Sequence, residues 1–319
     1  MFKGRAAFRG LDQNIYQNPA LKLLNPLALS PHKLPGAQGM VLSALSFSLM
    51  GVCVKQLGGL IPVAEVVLAR ALVSLALSWW LLKRAGLNPW GERKGMLVLR
   101  GVIGTLALYC VYAALAELPL ASATVFQYLY PTFTAALAWG ALGEALGKRI
   151  VAAMGLGWLG VLLVAQPSWL TGHGSPLPGL AVGIAITGAL LTALAYVTVR
   201  TLADSEHPLV IVFYFPLVSL PMSLPWVLAH PVLPGPSQLA WLVGVGIFTQ
   251  LGQVWLTGAL TQMPAARATA ISYVQVLFAA GWGALLFSEG LDGLTLLGAL
   301  LVLGATLLSL KPQATQPAT

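Results

Sequence analysis

Ten apolar runs, each close to the length that crosses a bilayer, dominate this chain of 319 residues. A helix needs about 20 mostly apolar residues to cross the hydrocarbon core. The runs cover residues 37–54, 61–82, 95–117, 120–142, 149–166, 178–199, 208–229, 238–261, 266–287 and 293–310. Membrane barrels show short alternating segments instead. The pattern therefore predicts an all-α integral membrane protein with ten transmembrane helices.

The supply of charged residues supports the same class. Only 8% of the residues are charged, whereas soluble domains carry about 25%, so lipid is the expected solvent. The formal net charge of +8 comes from basic residues in short segments between the apolar runs. Because these residues form no basic patch interleaved with aromatic side chains, nucleic acid is not an expected partner.

The distribution of Lys and Arg predicts the orientation. If residues 1–36 are a cytoplasmic disordered tail, 15 of the 17 basic residues, Arg100 included, fall on the cytoplasmic side. Lys55 lies outside and Arg70 lies within the second run. Cytoplasmic loops carry such an excess. The tail also lacks the apolar core of a secretory signal, so we predict a multi-pass cell (inner) membrane protein with both termini cytoplasmic.

An offset of 145 residues aligns the chain with itself. Residues 114–124 match residues 259–269 at six of eleven positions, and the same offset pairs Tyr128 with Tyr273. Each unit contains five runs, so the second copy must start on the opposite side of the membrane. We predict two inverted five-helix repeats, the usual construction of secondary transporters. They cover residues 37–167 and 177–312, and residues 313–319 form a second cytoplasmic tail.

The residues around the fourth run support a family resemblance. The segment ASATVFQYLYPTFTAALAWGALGE at residues 121–144, the ending at residues 287–289 and Arg70 resemble the EamA-domain exporters of the drug/metabolite transporter superfamily. The resemblance implies a central cavity lined by spans 1–4 and 6–9, with spans 5 and 10 peripheral. It also implies export of amino acids, other metabolites or drugs. The second copy departs from this pattern, since Phe215 replaces the arginine and Val276 replaces Pro131.

Arg70 is the most informative candidate site residue, because it lies about 13 Å into its run at a rise of about 1.5 Å per residue. A charge at such depth costs at least about 2.5–3.5 kcal/mol, so the side chain should face the bundle interior or a wet cavity. Two interpretations are open. The guanidinium binds a substrate carboxylate, or it pairs with backbone carbonyls or with Glu65.

Amides and phenols in hydrocarbon also need partners, so they too should face inward. The further candidate substrate-binding residues are Tyr109, Tyr112, Gln127, Tyr128, Tyr130, Gln250, Gln253, Thr257, Ser272, Tyr273 and Gln275. Pro131, Pro216 and Pro221 are candidate gating residues, because proline removes a helical hydrogen bond. Helix packing is an alternative role for the polar residues, and a static bend is the alternative for the prolines.

The runs contain few groups that could perform catalysis. The four histidines lie outside the runs, and the two cysteines fit core positions, so no metal site, cofactor or enzyme activity is predicted. Proton coupling stays open because the acids lie near the ends of runs, where Glu144 and Glu289 are expected to order helices. The glycines at residues 155, 157 and 160 match a dinucleotide fingerprint but lie inside an apolar run, which predicts close helix packing instead.

We predict a secondary transporter that moves a small polar or amphipathic metabolite across the cell membrane by alternating access, with amino acids the favoured class and export the favoured direction. Its expected partners are the substrate and the lipid bilayer, and it is expected to be a monomer or a weak homodimer. An organic-anion or drug exporter of the same fold is one alternative. An intramembrane lipid-group transferase and a non-transporting receptor or scaffold are alternatives of other classes.

Overall fold

The computed structural model describes residues 36–57, 61–118, 120–167, 177–230, 232–288 and 292–310, and all regular structure within these ranges is helical. The helices are α1 (Gly36–Gln56), α2 (Val63–Ala85), α3 (Lys94–Glu117), α4 (Leu120–Gln127), α5 (Tyr130–Leu142), α6 (Lys148–Ala165), α7 (Gly179–Leu202), α8 (Pro208–Ala229), α9 (Pro236–Gln262), α10 (Ala265–Ile271), α11 (Val274–Phe287) and α12 (Gly293–Leu310). The tails predicted at residues 1–36 and 313–319 fall outside the described residues, except for Gly36, and so does Glu289.

The helices reproduce the ten predicted membrane spans. In the part of the chain that the structure describes, nine stretches are long and apolar enough to cross a membrane, and α10 with α11 forms one of them. The fourth predicted span differs, because it consists of α4 with 8 residues and α5 with 13. Neither helix could cross a bilayer alone, but together they cover the predicted run. The prediction of an all-α fold with ten spans in two repeats is confirmed.

Spans four and nine are interrupted at equivalent positions of the two repeats. At these points the amides of Leu129 and Val276 donate to carbonyls three residues earlier, those of Phe126 and Tyr273, at 3.1 and 3.0 Å. Such bonds form a tighter turn than the α-helix. Pro131 follows the first interruption, but Val276 holds its place in the second. The interruption therefore belongs to the repeat and does not require proline.

The two halves of the chain pack mainly on each other. The helix α1 lies against α9, α2 against α8 and α9, and α3 against α7 and α8. The helices α6 and α12 pack together as a pair, in keeping with the expected peripheral place of spans 5 and 10. A Cβ added at Gly160 would lie 2.6 Å from the Val302 side chain, so the predicted close packing is confirmed there, whereas Gly155 faces open space.

The outer surface of the bundle is apolar. Leu285 is 76% exposed, Leu300 65% and Trp139 63%, and exposure of large apolar side chains on this scale would be unfavourable in water. A hydrocarbon environment removes that penalty. The exposed apolar helices therefore describe a multi-pass membrane protein.

The connections between helices alternate between two faces of the bundle. We call the face with Arg93, Glu144, Arg200 and Arg267 the basic face. There the Glu144 carboxylate accepts hydrogen bonds from the Arg200 guanidinium and the Ala265 amide, both at 2.8 Å. The expected role of Glu144 in ordering helix ends is thereby confirmed, and the bonds join the end of α5 to the start of α10 and to the last turn of α7.

Candidate substrate-binding cavity

A narrow cavity of about 10 Å³, close to the space that one water molecule needs, lies between α2, α8 and α9. Its walls include Arg70 and Ser74 of α2, Phe215 and Pro216 of α8, and Gln250 and Gln253 of α9. Pockets that hold small molecules usually enclose about 300–1,000 Å³. This cavity is smaller, so the helices around it must separate before a metabolite can enter.

Arg70 is buried in the wall of this cavity, with 6% of its surface exposed. Its Cζ atom lies 4.9 Å from the centre of the Phe215 ring, and the Tyr112 phenol is an electrostatic neighbour. Among the described residues no carboxylate forms an ion pair with Arg70. The proposed pairing with Glu65 is wrong, because the Glu65 carboxylate accepts a hydrogen bond from the Val232 amide near the face opposite the basic one.

Arg100 of α3 approaches the same phenylalanine ring. Its Cζ atom lies 4.8 Å from the ring centre, and only 3% of the residue is exposed. Its Nη2 donates a long hydrogen bond of 3.5 Å to Gln253 Oε1. The assignment of Arg100 to a cytoplasmic connection is therefore wrong. The signal in the sequence is its place inside the third run, five residues beyond the start at residue 95. An arginine side chain from there reaches the core.

Glycine at position 104 makes room for the Arg100 side chain. A Cβ at this position would lie 2.3 Å from Arg100 Nη1 and 3.0 Å from the Phe215 ring. Real Cβ atoms do not approach other heavy atoms so closely, because packing in protein interiors is already dense. The absence of a side chain at Gly104 thus leaves room for the Arg100 guanidinium between α3 and α8.

The two guanidinium groups concentrate positive charge at the centre of the bundle. Both lie within 5 Å of one ring centre, so they repel each other over less than about 10 Å in a medium of low dielectric constant. Arginine keeps its proton in proteins. The face of an aromatic ring attracts cations, so Phe215 offsets part of the repulsion. The desolvation cost of the charges is otherwise uncompensated by any acid within the described ranges.

The candidate polar residues of α9 face the interior, as expected of polar groups in hydrocarbon. Gln250 is 2% exposed and donates a hydrogen bond of 2.8 Å to the Ser78 hydroxyl on α2. Gln253 contacts Arg100, and the buried Thr257 hydroxyl has no hydrogen-bond partner among the described atoms. Gln250 therefore has both of the roles considered for the polar residues, because it joins α2 to α9 and also lines the cavity.

A second cluster of polar and aromatic residues lies where spans four and nine are interrupted. The rings of Tyr128 and Tyr273 stack with centres 5.8 Å apart. The Tyr130 hydroxyl is hydrogen-bonded to Ser272, and its ring meets Tyr196 edge to face at 5.5 Å. Tyr196 is also an electrostatic neighbour of Arg100. We call Tyr128, Tyr130, Tyr196, Ser272 and Tyr273 the tyrosine cluster, and Tyr196 links it to the arginines.

The remaining predicted site residues lie around these two groups. Gln127 is the last residue of α4, Gln275 is the second residue of α11, and both are partly exposed. Tyr109 interacts with Ser223 on α8.

The predicted gating prolines occupy different environments. Pro216 lines the cavity, Pro131 is buried at the interruption of span four, and Pro221 is exposed on the outer surface. The helix α8 continues without interruption through its prolines.

An all-helical bundle of ten spans in two repeats, enclosing a central cavity, defines the class of multi-pass membrane transporters. The model of the EamA-like transporter family matches residues 34–166 and 179–311. The chain therefore belongs to the EamA-like transporter family, as the sequence resemblance predicts.

Known relatives of the chain are also named as transport proteins. It is 30% identical over 266 residues to the pseudopaline exporter CntI of Pseudomonas aeruginosa, across 83% of this chain and 92% of that protein. It is 27% identical over 255 residues to solute carrier family 35 member G1 of Mus musculus, across 75% and 68% of the two chains. A solved crystal structure has a TM-score of 0.75 at 17% identity, covers 86% of this chain and 96% of its own, and supports the fold.

Proposed function

We propose that the protein is a secondary transporter that exports a small polar or amphipathic metabolite carrying a carboxylate, with amino acids the favoured class. The observation that carries this proposal is the Arg70 guanidinium in the wall of a cavity between two repeats, without an acidic partner in the described parts of the chain. A carboxylate accepts two parallel hydrogen bonds from a guanidinium. Such a substrate would neutralise a charge that the protein leaves buried.

Alternating access is supported by the architecture. Inverted repeats enclose sites near mid-depth, and interrupted helices often lie beside those sites. Here spans four and nine are interrupted at equivalent positions and the cavity is too small for a metabolite, as expected of an occluded state. Similarity to a protein named as an exporter favours export, and the Lys and Arg distribution favours cytoplasmic termini in the cell (inner) membrane.

Flux into proteoliposomes tests this proposal. The purified protein would be given radiolabelled amino acids and organic acids, with and without a pH gradient. We expect uptake of at least one carboxylate in the wild type. Arg70→Gln should lower its kcat/KM at least about tenfold, because loss of one partner of a desolvated charge pair costs about 2–5 kcal/mol. Arg70→Lys keeps the positive charge but cannot donate two parallel hydrogen bonds. Its kcat/KM should lie between those of the wild type and Arg70→Gln.

Arg84→Gln is the matched control, because Arg84 also lies over an aromatic ring, Trp80 at 4.8 Å, but is exposed at the surface of the bundle. Its flux should equal that of the wild type. Equal flux in folded Arg70→Gln and wild-type protein would exclude Arg70 as a binding residue. Absence of flux for every solute in the panel would exclude the proposed activity.

The organic-anion exporter is the second candidate function. The buried Arg100 favours it, because a cavity next to two positive charges discriminates against neutral drugs.

A further inference from the structure

Two of the nitrogen atoms of Arg100, Nε and Nη1, are buried donors without a hydrogen-bond partner in the described parts of the chain. The third donor group, Nη2, makes one long hydrogen bond of 3.5 Å to Gln253 Oε1. A buried donor left without a partner loses its hydrogen bonds to water and gains none in return, and the penalty is larger when the donor is charged. Native interiors pair nearly all such groups. The donors of Arg100 therefore indicate an acceptor that binds from outside the chain.

Arg100 stands beside the cavity wall that Arg70 forms. Phe215 and Gln253 line the cavity and both contact Arg100, while Phe215 also contacts Arg70. The cavity must widen to admit a metabolite, and movement of the partly exposed Gln253 side chain would bring Arg100 into the same space. Arg70 and Arg100 would then both present guanidinium groups next to the Phe215 ring.

The charge balance indicates what such a site binds. A single carboxylate would neutralise one guanidinium and leave the other buried and unpaired, with the large penalty that follows. Two carboxylates would neutralise both guanidinium groups, and each carboxylate could accept two parallel hydrogen bonds from one planar guanidinium. The carbon chain between them would lie against the apolar face of Phe215.

We propose that Arg70 and Arg100 form a two-point anion site and that the transported substrate carries two carboxylates, as acidic amino acids and dicarboxylic acids do. This inference rests on the proposed function, because it names the substrate class of the same cavity. Arg100 would act as a specificity-determining residue that separates diacids from their neutral or monoanionic analogues.

Matched solutes that differ in one charge test the proposal. Proteoliposomes would be given glutamate and glutamine, aspartate and asparagine, and succinate and its monoamide, with glycerol phosphate as a dianion on a single group. We expect the wild type to transport at least one diacid with a kcat/KM at least about tenfold above that of its monoamide. Arg100→Gln should remove most of this ratio, and Arg100→Lys should keep more of it.

Glycine substitutions in α3 provide a second comparison. Gly104→Ala should lower the diacid preference, because the new methyl group would displace the Arg100 guanidinium. Gly95→Ala in the same helix should leave it unchanged, since a Cβ there meets nothing within 4 Å. If the Arg100 variants do not fold, inhibition of wild-type flux by each diacid and its monoamide measures the same ratio.

Three results decide against the inference. Equal transport of diacids and monoamides, or equal losses for both in Arg100→Gln, would show that Arg100 does not select the second carboxylate while transport itself stands. If glycerol phosphate is transported in preference to the diacids, the site binds one doubly charged group and not two carboxylates. If folded protein transports none of these solutes, the transport proposal is rejected as well.

Discussion

Arg70 and Phe215 occupy equivalent positions of the two repeats, as do Tyr128 and Tyr273, yet only the second pair is identical. Both pairs meet across the centre of the molecule, at 4.9 and 5.8 Å. Two tyrosine rings can stack across a pseudo-twofold axis without penalty. Two arginines facing each other would bring like charges together in a medium of low dielectric constant. The repeats therefore remain symmetric at the stacked tyrosine pair and differ where the cavity carries charge.

Restoring the symmetry of the charged pair should have the largest effect. Phe215→Arg would place a third guanidinium beside Arg70 and Arg100 and remove the ring that both contact. We expect a loss of several kcal/mol, since an unpaired buried charge costs about 3–5 kcal/mol. The yield of monodisperse protein in detergent and its thermal unfolding midpoint would measure this loss.

The exchange Arg70→Phe with Phe215→Arg is the control, because it restores the original number of charges and one ring at the two positions. It should recover much of the yield and midpoint lost in the single variant. Phe215→Leu should lower the free energy of unfolding less than Phe215→Arg does. We expect a loss of about 2 kcal/mol, because the attraction between the cations and the ring is removed. A Phe215→Arg variant as stable as the wild type would contradict our account of why the repeats differ.

The tyrosine cluster, which contains the symmetric pair, should tolerate change better. Tyr130→Phe removes the hydrogen bond to Ser272 that joins the two interruptions. We expect a loss of about 1 kcal/mol, because Ser272 keeps its bond of 2.6 Å to the Thr269 carbonyl. Tyr128→Phe should cost less, since its ring can still stack on Tyr273. Thermal unfolding of both variants in one detergent would rank them, and the reverse order would show that the stacked pair carries a further interaction.

The smallest effect concerns the peripheral helices, where the repeats differ at another equivalent pair. Gly147 precedes α6 without a side-chain cap, whereas Asp292 precedes α12 and accepts a bond of 2.8 Å from the Thr295 amide. Hydrogen bonds from Thr295 and Gln166 lower the pKa of the Asp292 carboxyl below its ordinary value. Its contribution to stability is therefore complete above the pKa of the unfolded state and is lost as pH falls through the folded-state pKa.

Thermal unfolding of wild type and Asp292→Asn at several pH values between neutral and acidic would detect this contribution. The difference between the two midpoints should be small, greatest near neutral pH, and should shrink as the pH falls. Transport should be unchanged, because Asp292 belongs to the peripheral pair of α6 and α12 and not to the helices that line the cavity. A difference that grows with acidity would contradict the direction of the pKa shift.

The spans could be predicted closely because hydrocarbon admits few solutions for a backbone that must satisfy its own hydrogen bonds. The run at residues 61–82 differs from α2 by two residues at its start and three at its end, and the run at residues 208–229 coincides with α8. The interruption of the fourth span was harder to predict, because Pro131 can begin a helix as well as bend one. Its counterpart near Ser272 has no proline, and hydroxyl bonds to the backbone replace that signal.

The cavity was only partly predictable. Depth within a run identified Arg70, and helical spacing identified Gln250 and Gln253. Counting charges near span ends places Arg100 on the cytoplasmic side, because such a count ignores the length of an arginine side chain. Phe215 was noticed only as a missing arginine, since sequence comparison of the repeats does not show that equivalent positions touch. Its role required the distances to both guanidinium groups.

The Glu144 carboxylate has a consequence for how the basic face would open. Glu144 belongs to the first repeat, while its two donors, Arg200 and the Ala265 amide, belong to the second, and Glu144 is only 11% exposed. Parting the halves there would break both bonds at once and hydrate all three groups together. Packed interfaces of this kind switch between discrete arrangements. The conformational exchange should therefore be abrupt and its rate should rise with ionic strength, because dissolved ions stabilise the separated charges.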